Sequence, residues 1–164
     1  LHLSIRRQRQ MCIRDRVETA EEMFQSTLKS LPAEVAIFSA AVCDYKVKET
    51  SKIKIKKQDE FSLELEKNVD ILDYVSNHNS LRPKLVVGFA AETNDLEFYA
   101  NKKLSEKNCD WIVANDVSDQ TIGFESDFNK ISIFYKDKPE ENFEKMSKSL
   151  VAEEIVKRVI QQFN

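Results

Sequence analysis

Three short polar clusters attract attention because each comes at or soon after the end of a compact apolar run. Asp44-Tyr45 comes after VAIFSA (35–40), Glu92-Thr93-Asn94 after LVVGFA (85–90), and Asn115-Asp116 closes WIVAN (111–115). Any one of them is ordinary turn or cap chemistry. Three together point to a single ligand site fed by three segments. Lys103 and Lys107 stand four apart, so on a helix their ammonium groups share a face and repel by about a few tenths of a kcal/mol. A bound polyanion reverses that sign. Lys54 lies in an alternating segment, where a flap can lower one ammonium onto a triphosphate or an activated carbonyl.

Other chemistries lack their residues. His2 and His78 are the only histidines, too few for an HExxH metal site and poorly suited to a histidine triad. Cys12, Cys43 and Cys109 are far apart without CxxC spacing, so neither a disulfide framework nor a zinc knuckle is expected. A metal here would be a hard cation on oxygen ligands. Gly88 and Gly123 are the only glycines, which leaves neither GxGxxG nor a P-loop, and phosphate charge must be met by side chains.

The elements that must position these groups follow from periodicity. The three apolar runs are short, rich in β-branched or aromatic residues and without alternation, as in strands covered on both faces. LEFYANKKLSEK (96–107) has a helical pattern, capped by Thr93 or Asn94, and completes a βαβ unit between the second and third runs. Upstream, Thr19 and Glu22 form a capping box for a helix carrying Met23, Phe24 and Leu28, ended by Pro32. KIKIK (52–56) and FSLELE (61–66) alternate strictly around Gln58-Asp59-Glu60 and predict an antiparallel hairpin with one wet face. ISIFY (131–135) reads as another strand. LVAEEIVKRVIQQF (150–163) is an amphipathic helix with Val151, Ile155, Val159 and Phe163 on one side. The expected fold is an α/β, Rossmann-like three-layer domain with a mostly parallel sheet and an antiparallel hairpin flap.

With 164 residues, 41% hydrophobic and 32% charged, the chain suits one globular domain. No apolar run approaches the roughly 20 residues that span a bilayer, so no membrane association and a cytoplasmic location are expected. Residues 1–16 stand apart, with five arginines (Arg6, Arg7, Arg9, Arg14, Arg16) against the single acid Asp15. The stretch QRQMCIRDR resembles a translated sequencing-library adapter, so the domain is taken as residues 17–164. Setting those five arginines and one acid aside from 25 basic and 28 acidic residues leaves 20 against 27. No nucleic-acid partner is expected from that balance.

AAVCDYK (Ala40 to Lys46), KIKK (Lys54 to Lys57), NVDIL (Asn68 to Leu72), GFAAET (Gly88 to Thr93), ANDV (Ala114 to Val117) and GFESDFN (Gly123 to Asn129) together resemble the ordered signature of phosphopantothenate–cysteine ligases. The resemblance covers essentially all of Val17 to Phe163. It implies a ligase of coenzyme A biosynthesis that needs Mg²⁺ and uses CTP to activate the carboxylate of 4'-phosphopantothenate as an acyl-cytidylate. The amine of L-cysteine then displaces CMP. Carried over, the nucleotide contacts are Phe38, Ser39, Ala40, Asp44, Lys54, Val69, Asp70, Ile71, Leu72, Phe89, Lys103 and Lys107. Lys54 takes a catalytic role, and Asp44 accepts from ribose or holds Mg²⁺ through water. Phe89 lines the nucleotide pocket, while Asn68, Asn115 and Asp116 are substrate or structural positions. Ligases of this family act as dimers, so a homodimer is expected. In bacteria the domain is commonly fused behind a flavin-dependent decarboxylase, and FMN enters only with that portion.

The chain departs from the family pattern at Val69, where Asn-Pro-Asp is usual, and at Cys43, where a small alanine is usual. The family's first strand, phosphate-binding loop and Ser-Asn-rich segment are not found upstream, so the chain is expected to be an inactive C-terminal fragment. Two other functions compete: an NAD(P)-dependent oxidoreductase on a Rossmann-like sheet, and a non-catalytic nucleotide-binding module.

Overall fold

The computed structural model describes residues 15–51, 53–54, 56, 62–118 and 126–164. In chain order its elements are α1 (Ala20–Lys29), β1 (Val35–Phe38), β2 (Tyr45–Val47), β3 (Leu65–Lys67), α2 (Ile71–Ser76), β4 (Leu85–Glu92) and α3 (Leu96–Glu106). They continue with β5 (Trp111–Asp116), β6 (Phe128–Asn129), β7 (Ile131–Tyr135), β8 (Glu141–Asn142), β9 (Met146–Ser147) and α4 (Lys148–Gln162). They group into two compact units, Leu1–Ser30 with Val42–Val69, and Leu31–Ala41 with Asp70–Asn164.

The smaller unit holds α1, β2 and β3. Thr19 accepts from the Glu22 backbone N–H while Glu22 reaches back to the Thr19 N–H, the capping box expected from the sequence. An antiparallel pair is present, and β3 shares Leu65 and Glu66 with the expected FSLELE strand, but its partner is β2 and not KIKIK. β2 pairs β3 with Tyr45↔Lys67, Lys46↔Glu66 and Val47↔Leu65 in register, and Ile53, Lys54 and Lys56 belong to no strand. The remaining positions of 52–61 lie outside the described residues. Asn68 fixes this register: its backbone N–H donates to Asp44 O and its Nδ2 to Cys43 O, both at 2.8 Å. Lys46 with Glu66 and Lys48 with Glu64 add cross-strand ion pairs at 3.3 and 3.1 Å.

In the larger unit five strands run in the order β1-β4-β5-β7-β8. β1, β4 and β5 are parallel, while β7 and β8 continue the sheet antiparallel. Alternation sorts β4 between two cores. Val86 and Ala90 face Ala100 and Leu104 of α3 and Leu72 of α2, while Leu85 and Val87 face Val151 and Ile155 of α4. Each fully buried Val, Leu or Ile contributes about 1.5–3 kcal/mol, so this sandwich is the main source of cohesion. β4 and β5 are buried on both faces as expected. Among the described residues β1 is an edge strand instead, with Ile37 44% exposed.

Helix ends follow local chemistry. Asp95 caps α3 with a left-handed backbone, φ 46°, and without a side-chain hydrogen bond. Thr93 and Asn94, the expected caps, sit two and one positions too early because Asp tolerates that turn. For α4 the cap is Ser147, which accepts from Leu150 N–H. Val151 and Ile155 are buried and Val159 packs against their cluster, but Phe163 lies past the helix end and is exposed.

Candidate functional site

Register places the three parallel strand ends side by side in the larger unit. Phe38 pairs with Gly88, Phe89 with Val113, Ala91 with Asn115 and Glu92 with Asp116. In open α/β sheets this carboxyl edge is where ligands bind. Phe89 and Asn115 are therefore gathered at one edge, as expected. Asp44 belongs to the smaller unit.

Two helices bring charge to this edge. Lys103, on α3, donates from Nζ to the carbonyl oxygen of Phe89 at 2.8 Å, which seats an ammonium against β4 near its carboxyl end. One turn later Lys107 Nζ stands 2.8 Å from Asp70 Oδ2. Asp70 also caps α2, its Oδ1 accepting from the Asp73 N–H at 2.9 Å. Burial works against the Asp70 charge, yet the Asp73 N–H, the Lys107 ammonium and the nearby Lys103 together hold its carboxyl below the usual range. The hydrogen bond to Asp70 in turn pushes Lys107 up.

Gly88 leaves room for side chains of α2 and β5. A Cβ at this position would lie 2.7 Å from Leu72 Cδ2 and 2.8 Å from Ile112 Cδ1, so a side chain there would push the ends of Leu72 and Ile112 aside.

The other candidates divide by what their side chains can reach. Ile71 and Leu72 are buried, so they offer a ligand backbone groups only, whereas Val69 is exposed. Phe38 packs against the α3-side core and Phe89 against the α4-side core, so the two rings sit on opposite faces. What Phe89 presents to the lysines is its carbonyl. Ser39 and Ala40 follow β1 and are exposed. In the smaller unit Asp44 is exposed in a bend, Lys54 is exposed, and Asn68 spends its amide closing the Cys43-Asp44 turn.

Past β5, Asp116 accepts from Ser118 N–H at 3.0 Å and from Ser118 Oγ at 2.6 Å. Asn115 Oδ1 is buried without a partner among the described residues. Beside them lies a cleft of about 340 Å³ lined by Leu96, Asp116, Lys130, Ser132, Asn142, Phe143 and Glu144. Lys130, Ser132 and Asn142 escaped sequence reasoning. Their signal is the antiparallel register of β5 with β7 and of β7 with β8, which single-strand patterns do not reveal. No group of three or more His, Cys, Asp or Glu able to hold a metal occurs among the described residues. No helix among them is long and apolar enough to cross a membrane.

Residues 3–163 match the family model described as DNA/pantothenate metabolism flavoprotein C-terminal domain. The chain is 41% identical over 145 residues to the coenzyme A biosynthesis bifunctional protein CoaBC of Bacillus subtilis (strain 168), covering 87% of this chain and 35% of that protein. It is 44% identical over 126 residues to the protein of the same name from Escherichia coli (strain K12), covering 74% and 31%. A crystal structure of the C-terminal domain of coenzyme A biosynthesis bifunctional protein CoaBC superposes with a TM-score of 0.70 at 33% identity, covering 90% of this chain and 64% of that one. The chain spans about a third of the length of these curated relatives.

Proposed function

The chain belongs to the DNA/pantothenate metabolism flavoprotein C-terminal domain family, and from that premise we propose that the full-length protein joins 4'-phosphopantothenate to L-cysteine with CTP, a step of coenzyme A biosynthesis. The observation that supports a nucleotide site most strongly is the Lys103 ammonium held on the Phe89 carbonyl at 2.8 Å, at the sheet edge where α/β folds bind ligands.

In the first step a carboxylate oxygen of 4'-phosphopantothenate attacks the α-phosphorus of CTP and pyrophosphate leaves, giving an acyl-cytidylate. In the second the cysteine amine attacks the acyl carbon, loses a proton, and CMP departs with the oxygen that had bridged carbon and phosphorus. Cations lower the cost of the charge that develops on phosphate oxygens. Lys103 supplies the principal one from α3 with Lys107 one turn beyond it, and Lys54 supplies one at the acyl-phosphate. Phe38 to Ala40 and Asp44 take the ribose and base, while Val69 to Leu72 contribute backbone groups. Asn115 and Asp116 frame the neighbouring cleft.

Magnesium fits this donor set in its usual manner, through one or two carboxylates together with substrate phosphates. Asp44 is the carboxylate assigned to it, and the ion would supply charge neutralisation on the phosphates. FMN belongs to a decarboxylase portion if the full-length protein carries one. A homodimer working in the cytoplasm completes the proposal.

The test is stepwise. Full-length protein given Mg²⁺, CTP and 4'-phosphopantothenate without cysteine should release pyrophosphate, and added cysteine should then release CMP. Absence of pyrophosphate with every nucleoside triphosphate tried, under conditions where the protein is folded, would overturn the proposal.

A further inference from the structure

The two lysines of α3 are not equivalent. Lys103 rests on a neutral acceptor, the Phe89 carbonyl, and meets the Asp70 charge only at longer range. Lys107 meets a full negative charge, the Asp70 carboxylate, at 2.8 Å. That carboxylate is itself divided, one oxygen for Lys107 and the other for the Asp73 N–H that starts α2. Gly88 leaves room for Leu72 of the same helix against the sheet.

From this geometry we propose that Asp70 is a charge-setting residue: it compensates Lys107 and so leaves Lys103 as the principal cation that a phosphate meets, an inference that rests on the nucleotide-binding role given above. The function served is release. A second uncompensated ammonium group in the crevice tightens pyrophosphate as well as the triphosphate, because both ligands present phosphate charge. One compensated lysine keeps the product exchangeable. Asp73 and Glu106 add weaker attraction on Lys107, which leaves Asp70 as its direct partner.

Charge counting makes the test specific. Relative to the native set, Asp70→Asn adds one positive charge, Lys107→Ala removes one, and the double variant restores the native count. Asn is as good a helix cap as Asp, so Asp70→Asn keeps the start of α2. Binding of CTP and, separately, of pyrophosphate to the full-length protein is measured by calorimetry with Mg²⁺, alongside thermal unfolding of each variant. Asp70→Asn should tighten both ligands by about threefold or more, Lys107→Ala should weaken both by a similar factor, and the double variant should return to within about twofold of the native protein. Weaker binding in Asp70→Asn would overturn the proposal, because Asp70 would then be a ligand in its own right. A double variant as weak as Lys107→Ala would also overturn it, because Lys107 would then contact phosphate directly. Native protein that binds pyrophosphate but not CTP would remove the proposed substrate while still allowing the charge count to be read with pyrophosphate. Native protein that binds neither would end both.

Discussion

Lys54 differs from the helical lysines in the kind of support it has. Lys103 is held by a carbonyl and Lys107 by a carboxylate, whereas Lys54 is exposed and lies in no strand. A cation on such a segment acts when the segment brings it to the reacting group. Lys54→Ala in the full-length protein should therefore lower turnover at saturating CTP, and Lys54→Arg should not restore it, because a planar fork does not replace a compact ammonium. Steady-state kinetics with pyrophosphate and amide followed separately would check this; a change confined to the CTP requirement would make Lys54 another phosphate clamp. The Asp70–Lys107 pair also predicts a pH dependence. Because the folded protein holds the Asp70 carboxyl below its usual range, its contribution to stability is complete above that range and is lost as pH falls through the folded value. The stability difference between native protein and Asp70→Asn should be flat above the ordinary aspartate range and shrink as pH falls below it, read from denaturant unfolding at each pH. Four-residue spacing made it legible that Lys103 and Lys107 share a face. Their different partners were not legible, since Asp70 and the Phe89 carbonyl reach them only through tertiary packing.

At the level of elements, the close seat of α2 on β4 and the clamp at the opposite edge of the sheet carry the geometry. Gly88→Ala puts a methyl within 2.7 Å of Leu72 and 2.8 Å of Ile112. It should cost about 1–3 kcal/mol in denaturant unfolding. At the amino edge Arg82 donates to the carbonyls of Ser76, Pro83 and Asn108 and to both oxygens of Asp110, while Asp110 accepts from Val86 N–H at 2.7 Å. Arg82 thereby ties the segment after α2 to the turn after α3. Arg82→Lys keeps the charge but loses the fork, and should lower stability by about 1–3 kcal/mol as judged by the shift in unfolding midpoint. Such anchors explain what the sequence revealed. Strands buried on both faces and an amphipathic α4 announce themselves by composition, so 85–90, 111–115, 131–135 and the final helix were legible. Alternation in KIKIK does not name a partner, and Asn68 bonding to Cys43 and Asp44 joins Leu65 and Glu66 to β2 instead. α2 was missed because six residues give too little period to read.

Across the whole molecule, charge is local. The chain carries a net charge of −3, yet its larger unit gathers Lys103 and Lys107 at one sheet edge, in keeping with an anionic ligand bound at a specific crevice and not over a broad basic surface. Asp44 and Lys54 belong to the smaller unit. In the proposed reaction CTP activates the carboxylate as an acyl-cytidylate, and isotope transfer tests that most directly. 4'-Phosphopantothenate labelled with ¹⁸O in its carboxylate is turned over by the full-length protein with CTP, Mg²⁺ and L-cysteine, and the nucleotide and pyrophosphate products are weighed by mass spectrometry. The proposed reaction places one ¹⁸O in each CMP formed and none in pyrophosphate. Unlabelled CMP, or label recovered in pyrophosphate or inorganic phosphate, would contradict it.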